Sequence, residues 1–221
     1  MRPLRFALAQ GLLLNDALAA LRAIALDVSR VTPGGRRLVV DGGGNVEFVL
    51  ARPSDIATYV ERGAADLGIV GKDVLMESAA RVLELVDLHF GACRFVVAAP
   101  RGALERSLDE YRHLGSLEVA TKYPRVAEAH FRARGLEVEI VKVAGSAEVA
   151  PQVGLADWIV DLVATGGTLR ANDLAIVEEI AACSARLIAN PASYHYRRAE
   201  IAPLVEKLAD WASRSRSSEQ R

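Results

Sequence analysis

The nine residues Asp161-Leu-Val-Ala-Thr-Gly-Gly-Thr-Leu169 carry the most legible chemistry of this chain. The run Trp158-Ile159-Val160, continued by Leu162-Val163, is short and β-branched, as a buried strand requires. Gly166 and Gly167 allow a turn that exposes its N–H groups, and Thr165 and Thr168 add hydroxyls. Leu169-Arg170-Ala171 then opens a helix, whose first N–H groups are unpaired and carry partial positive charge. Strand, Gly/Thr turn and helix start together make a cradle for phosphate. Asp161 puts a carboxylate inside the apolar strand, where it needs partners, and sugar hydroxyls would serve.

Further charged groups stand at element ends. Gly71-Lys72-Asp73 follows a strand-like run and precedes a helix. Asp73 can cap that helix, and Lys72 at a positive helix end can meet a pyrophosphate or triphosphate. Arg36 and Arg37 precede another strand, where a basic pair is ordinarily just exposed. Arg52 and Asp55 flank a helix start and are either a local ion pair or the lining of a nucleotide pocket. In Thr121-Lys122-Tyr123, Lys122 can approach a phosphate, and Tyr123 either stacks on a base or packs. Glu148, after Gly145-Ser146, either accepts from ribose hydroxyls or meets a helix dipole.

The elements that must position these groups alternate strand and helix almost throughout, which predicts α/β layers. Strands are expected at 4–9, 38–40, 46–50 and 67–70, with a hairpin around Gly42-Gly43-Gly44. Asn15 and Ser54 are expected helix caps, and Gly63 a helix end. A second α/β unit follows, with strands at 95–99, 118–120, 138–143 and 159–163. Pro124 suits a first helical turn, Gly135 a helix end, and Ser146 a cap. Segments 176–180 and 186–189 read as the chain returning to the first unit. The expected division is therefore 1–91 with 176–221, and 92–175. A last helix over about 200–211 places Leu204, Leu208 and Trp211 on one face, and the Ser/Arg-rich 213–221 reads as disordered.

Composition bounds the rest. The chain has 221 residues, 51% hydrophobic and 25% charged, enough for a soluble core of one large or two small domains. A net charge of -1 argues against a nucleic-acid surface. There is no apolar run of membrane-spanning length and no cationic, apolar leader, so a cytoplasmic protein is expected. Cys93 and Cys183 are far apart in sequence and read as reduced core thiols. His89, His113, His130 and His195 lack metal-ligand spacing, and no protein metal site is expected.

The loop resembles the phosphoribosyl-pyrophosphate (PRPP) loop of the ATP phosphoribosyltransferase family, which starts histidine biosynthesis. In that family an Asp-x-Val-x-Thr-Gly-x-Thr-Leu segment holds the 5-phosphate of PRPP. Other segments match in order. They are Arg52-Pro-Ser-Asp-Ile-Ala-Thr-Tyr-Val-Glu61, Gly63-Ala-Ala-Asp-Leu-Gly-Ile-Val-Gly-Lys-Asp73, Ala120-Thr-Lys-Tyr-Pro124, Gly145-Ser146 with Glu148, and Ser184-Ala-Arg-Leu-Ile188, within roughly residues 4 to 205.

The resemblance implies a two-lobed fold like the type II periplasmic binding proteins, with an inter-lobe cleft. It implies that Asp161, Ala164, Thr165, Gly166, Gly167, Thr168 and Glu148 bind PRPP. Gly11, Arg52, Asp55, Gly71, Asp73, Lys122 and Tyr123 would bind nucleotide or pyrophosphate, with Arg36 and Lys72 as the catalytic cations. Lobe I (1–91 and 176–221) would take the nucleotide side and lobe II (92–175) the 5-phosphate loop. N1 of ATP would attack C1 of the ribose, and pyrophosphate would leave from the opposite face. Mg²⁺ would be carried mainly by PRPP and pyrophosphate. The length resembles the short form, a catalytic homodimer that associates with a regulatory subunit similar to histidyl-tRNA synthetase.

One departure matters. Family members usually carry Lys-Gly-Arg after the first strand, and here the residues are Gln10-Gly11-Leu12. Each lost charge-assisted hydrogen bond costs about 1.5–3 kcal/mol, roughly ten- to a hundred-fold in rate if made only in the transition state. The sequence therefore leaves open a slow enzyme, one completed by a partner, or a catalytically weak or inactive PRPP- and nucleotide-binding relative. Ala164 also replaces a residue that is often polar in the family.

Overall fold

The computed structural model describes residues 2–103 and 117–219, so His113 and the last two residues of the expected tail lie outside the described residues. The chain forms two compact units, Met1–Ala92 with Ser184–Arg221, and Cys93–Cys183.

The first unit opens with β1 (Leu4–Ala9), α1 (Leu14–Ala23), β2 (Val39–Asp41), β3 (Val46–Ala51), α2 (Pro53–Glu61), β4 (Leu67–Gly71), α3 (Lys72–Ser78) and β5 (Leu83–Asp87). The second unit runs through β6 (Cys93–Pro100), β7 (Leu117–Thr121), α4 (Pro124–Ala133), β8 (Val138–Lys142), β9 (Trp158–Val163), α5 (Gly167–Ala171) and β10 (Leu174–Cys183). The chain then returns to the first unit as β11 (Ala185–Ala189), α6 (Pro191–Tyr196) and α7 (Arg198–Glu219).

The first sheet has the order β2-β3-β1-β4-β11-β5, with β1 parallel to β3 and β4, and β11 antiparallel to β4 and β5. The two-residue period of β1 splits its side chains between two cores. Leu4, Phe6 and Leu8 pack with Leu18 and Leu21 of α1 and with Ile201 and Leu208 of α7. Ala7 and Ala9 pack with Ile56 and Val60 of α2. Each fully buried Phe, Leu or Ile here contributes about 1.5–3 kcal/mol. Gly68 of β4 lets α2 sit close, because a Cβ there would lie 2.8 Å from Val60 Cγ2 and 3.1 Å from Ile56 Cγ2.

Asp66, fully buried before β4, ties this unit's ends together. It accepts from both terminal nitrogens of Arg2 at 2.7 and 2.8 Å, from Arg5 N at 2.9 Å and from Ser193 Oγ at 2.7 Å. Arg197 Nη1 lies 3.2 Å from it. Asn190 caps α6 by accepting from Ser193 N and donates to the Val60 and Glu61 carbonyls at the end of α2.

The second sheet has the order β10-β6-β9-β7-β8. β7 is parallel to β8 and β9, whereas β6 is antiparallel to β9 and to β10. Val96, Ala98, Ala120, Ile159 and Leu169 lie in its core.

The expected strands are present, but several local expectations are corrected. Asn15 lies inside α1, after an N-cap at Leu13 that makes no side-chain bond. Ser54 lies inside α2, where Arg52 is the N-cap and Pro53 presets the first turn. Asp73 lies one residue inside α3, whose N-cap is Gly71. Ser146 does take the N-cap position, but of a 3-10 turn, Ala147–Val149, rather than of an α-helix, and it makes no side-chain cap bond. The return to the first unit comes at Ser184 rather than at 176, because β10 pairs along its length with β6.

The C-terminal segment expected to be disordered continues α7 to Glu219. There Ser213 and Ser215 satisfy their hydroxyls on the Ala209 and Trp211 carbonyls, and Trp211 meets Phe90 edge-on at 6.3 Å. Among the described residues, no helix is long and apolar enough to cross a membrane.

Candidate functional site

In the second unit the candidate residues meet at the C-terminal ends of the parallel strands β7 and β9. Glu148, Asp161, Ala164, Thr165, Gly166, Gly167 and Thr168 line one pocket of about 150 Å³, with Leu162, Val163 and Leu169. That volume is below the roughly 300–1,000 Å³ of whole small-molecule sites, so the pocket suits part of a ligand.

Gly166 enters α5 with φ +74°, a conformation that glycine adopts without cost. The first intrahelical closure is Arg170 N to Gly166 O, which leaves earlier N–H groups of the turn for a ligand. α5 is only five residues long, so its dipole is short and an anion here would rest mainly on the exposed turn itself.

The turn is braced from behind by residues that the sequence pattern did not single out. Arg170 Nη1 donates to the Thr165 carbonyl at 3.2 Å. Asn172 Nδ2 donates to the Thr168 carbonyl at 2.9 Å, and Gln152 Nε2 holds Asn172 through its carbonyl and its side-chain oxygen. These bonds occupy the turn's carbonyls rather than its N–H groups. No local signal marks Gln152, which reaches the loop from 20 residues away in sequence.

Two carboxylates share this pocket. Asp161 is 5% exposed and accepts the Leu162 N–H at 2.8 Å. Burial pushes its carboxyl above the ordinary range, and the Glu148 charge adds to this. The Leu162 N–H and Lys122 oppose the shift without cancelling it. Glu148 Oε2 is buried without a hydrogen-bond partner. An orphan acceptor beside a strained carboxylate is costly unless a ligand brings donors.

Lys122 and Tyr123 follow β7. Lys122 Nζ lies 3.8 Å from Asp161 Oδ1 and 6.0 Å from the centre of the Tyr123 ring. Tyr123 packs edge-on against Phe95 at 4.8 Å, so packing already engages its ring. Buried Thr121 sets this strand end, donating to the Val160 carbonyl at 2.7 Å and accepting from Tyr123 N.

In the first unit the topology gathers the other candidates at one sheet edge. Parallel β1 and β3 end in register, Ala9 opposite Ala51, and β4 runs beside β1 with Ile69 opposite Leu8. Gln10, Gly11, Arg52, Gly71 and Lys72 therefore follow at the same edge. Antiparallel β2 begins there too, with Leu50 N donating to the Leu38 carbonyl, which brings in exposed Arg36 and Arg37. Ligands of open α/β sheets bind outside such strand ends.

Within this group the contacts differ from expectation. Lys72 Nζ is engaged by Glu84 Oε2 at 2.5 Å, and Arg186 holds both Glu84 (3.3 Å) and Asp87 (2.9 Å). Asp55 accepts from Ser54 Oγ at 3.0 Å, and Arg52 is exposed. Asp73 accepts its own N–H and that of Val74, and its burial outweighs these bonds and raises its carboxyl. Leu12 is 97% exposed, and Gly11 takes φ +104°. Glu84 was not singled out by the sequence pattern, because its partner Lys72 lies on another element, and Arg186 reaches Glu84 and Asp87 only through the pairing of β11 with β5.

Among the described residues, no group of three or more His, Cys, Asp or Glu stands together as ligands for a metal.

A family model described as ATP phosphoribosyltransferase matches residues 52–210. The chain is 50% identical over 208 residues to a protein of Rubrobacter xylanophilus named ATP phosphoribosyltransferase, covering 94% of this chain and 96% of that one. Among solved structures it resembles the ATP phosphoribosyl transferase (HisG:HisZ) complex from Thermotoga maritima. There the TM-score is 0.81 at 30% identity, with 96% of this chain and 99% of that chain covered. The periplasmic aliphatic sulphonate binding protein SsuA of Escherichia coli shares the fold. Its TM-score is 0.59 at 13% identity, with 100% of this chain and 76% of that one covered. The architecture is thus the two-lobed type II periplasmic-binding-protein fold.

Proposed function

The chain belongs to the ATP phosphoribosyltransferase family, and on that premise we propose how its residues join ATP and PRPP into N1-(5-phosphoribosyl)-ATP and pyrophosphate, the first step of histidine biosynthesis. The observation that carries the proposal is the pocket in which Glu148, Asp161 and the whole Thr165–Thr168 turn converge.

The N–H groups and hydroxyls of Thr165, Gly166, Gly167 and Thr168 hold the 5-phosphate. Asp161 and the orphan Oε2 of Glu148 accept from the ribose hydroxyls. The negative charge of Asp161 also favours the positive charge that develops on the sugar as pyrophosphate departs. Lys122, beside Asp161, stands ready for phosphate oxygens. Gly11, Arg52, Asp55, Gly71, Asp73 and Tyr123 are assigned to ATP or pyrophosphate, with Arg36 and Lys72 as the cations that stabilise the leaving group. Lys72 must exchange Glu84 for phosphate to do so. The attack by N1 of ATP needs no covalent help, so holding the two substrates in line is the main contribution of the protein.

PRPP is taken as its Mg²⁺ complex, in which the ion offsets charge on the departing pyrophosphate. Mg²⁺ accepts one or two carboxylates alongside substrate phosphates, a donor type that Glu148 and Asp161 supply. The matching length of the Rubrobacter relative supports a short-form catalytic subunit. The Thermotoga complex supports assembly with a HisZ-type regulatory subunit, and the catalytic chain is taken to pair as a homodimer within it. Such a biosynthetic enzyme is assigned to the cytoplasm.

A titration of PRPP followed through backbone amide resonances tests the pocket. The amides of residues 165–168 are expected to shift most. Shifts confined to other segments would remove the assignment.

A further inference from the structure

The two cysteines, far apart in sequence, are opposite one another in the fold. Cys93 begins β6, Cys183 ends β10, and the antiparallel register pairs them directly. The register is regular from there through Ala182 with Arg94 and Ala181 with Phe95. Directly opposed residues of an antiparallel pair project to the same face, with Cα atoms about 4.5–5.5 Å apart. That separation lies inside the roughly 4.4–6.8 Å range of disulfides. Cys183 is 3% exposed, Cys93 is partly exposed, and both carry thiols here. They are also the first and last residues of the second unit.

We propose that Cys93 and Cys183 form a modification site, an exchangeable cross-strand disulfide made by reaction with low-molecular-weight disulfides such as oxidised glutathione. Cys93, the more accessible, loses its proton and attacks one sulfur of the small disulfide. One reduced thiol leaves with a proton, and a mixed disulfide remains on Cys93. Cys183, deprotonated in turn, attacks the Cys93 sulfur and displaces the second reduced thiol. Two cysteine thiols are oxidised by two electrons, and one small disulfide is reduced to two thiols. The product closes the whole of Cys93–Cys183 into one covalent loop at the points where the chain enters and leaves that unit. Closing a long loop restricts the unfolded chain, so the oxidised form is the more stable one.

The test uses the full native chain, incubated with oxidised glutathione, then blocked with iodoacetamide and analysed by intact mass and by unreduced peptide mapping. The expected product is lighter than the reduced chain by two hydrogens and carries no alkyl group. It yields one linked peptide containing Cys93 and Cys183, melts at a higher temperature, and reverts with dithiothreitol. In Cys183→Ser the glutathione adduct on Cys93 is expected to persist instead. Retention of both thiols in the native chain, a lasting glutathione adduct on it, or a disulfide between two chains would each overturn the proposal. The native-chain result decides alone if the variant does not fold.

Discussion

The Lys122 ammonium stands 3.8 Å from Asp161 Oδ1, so the strand carboxylate that burial destabilises has a cation within reach but no close ion pair. Burial thus disfavours the charged form of Asp161, beside an unpartnered Glu148 oxygen. This pattern marks a site arranged for a ligand rather than for stability.

Asp161→Asn separates the two effects. Its loss of charge is expected to lower kcat/KM for PRPP by about 100-fold or more. Because burial raises the Asp161 pKa, the native state binds its proton more tightly than the unfolded chain does. Stability from this group therefore falls as pH rises from the ordinary carboxylate value through the raised native value. The variant should melt no lower than the parent at pH 7, and its melting temperature should lose that pH dependence. The acid limb of kcat/KM in the parent should lie above the usual Asp value of about 3.9. A clear drop in melting temperature at pH 7, with activity retained, would contradict both assignments.

Gly166 and Gly167 should respond differently to alanine. Gly166 has φ +74°, and a Cβ there would lie 3.1 Å from Arg170 Nη1. A left-handed conformation costs an L-residue about 1–2 kcal/mol, so Gly166→Ala should raise KM for PRPP roughly ten-fold. A Cβ at Gly167 would meet only Thr165 Oγ1 at 3.7 Å, an ordinary contact. Steady-state kinetics should show Gly167→Ala within about two-fold of the parent. Equal losses in the two variants would show that backbone strain is not what matters.

The exposed position of Leu12 makes the missing family cations easy to restore. At 97% exposure its replacement disturbs no core packing. Gln10→Lys with Leu12→Arg should raise kcat about ten- to a hundred-fold for each added hydrogen bond that forms only in the transition state. An unchanged kcat would mean that other cations already meet the pyrophosphate.

Asp66 carries the largest single stability prediction. Asp66→Ala removes the acceptor shared by Arg2, Arg5 N, Ser193 and Arg197, and leaves Arg197 at 8% exposure with one carboxylate fewer. Breaking a buried pair of this kind costs about 3–5 kcal/mol. Denaturant unfolding checks it, and a loss under about 1 kcal/mol would mean that water or Glu200 replaces the lost acceptor.

What the sequence revealed follows from how local the physics is. The Asp161–Leu169 segment was legible because its strand pattern, glycines and hydroxyls lie side by side in the chain and do their chemistry together. The α/β alternation was legible for the same reason, and the strands fell close to their expected places. Partner choice was not legible. Lys72 with Glu84, Gln152 with Asn172, and Asp66 with Arg197 are each made by topology, which no local pattern encodes. Register placed Cys93 opposite Cys183 although the sequence separates them widely. The helical tail was hidden too. Its serines read as disorder-promoting, whereas Ser213 and Ser215 bond back to helix carbonyls and Trp211 anchors the turn against Phe90.

The most direct test of the central claim is formation of phosphoribosyl-ATP from ATP, PRPP and Mg²⁺, with and without a HisZ-type subunit. The account predicts product that depends on both substrates and is abolished or nearly so in Asp161→Asn. It allows stimulation by the partner, given Gln10 and Leu12. PRPP binding without product in either mixture would contradict it and leave a ligand-binding relative of the same fold.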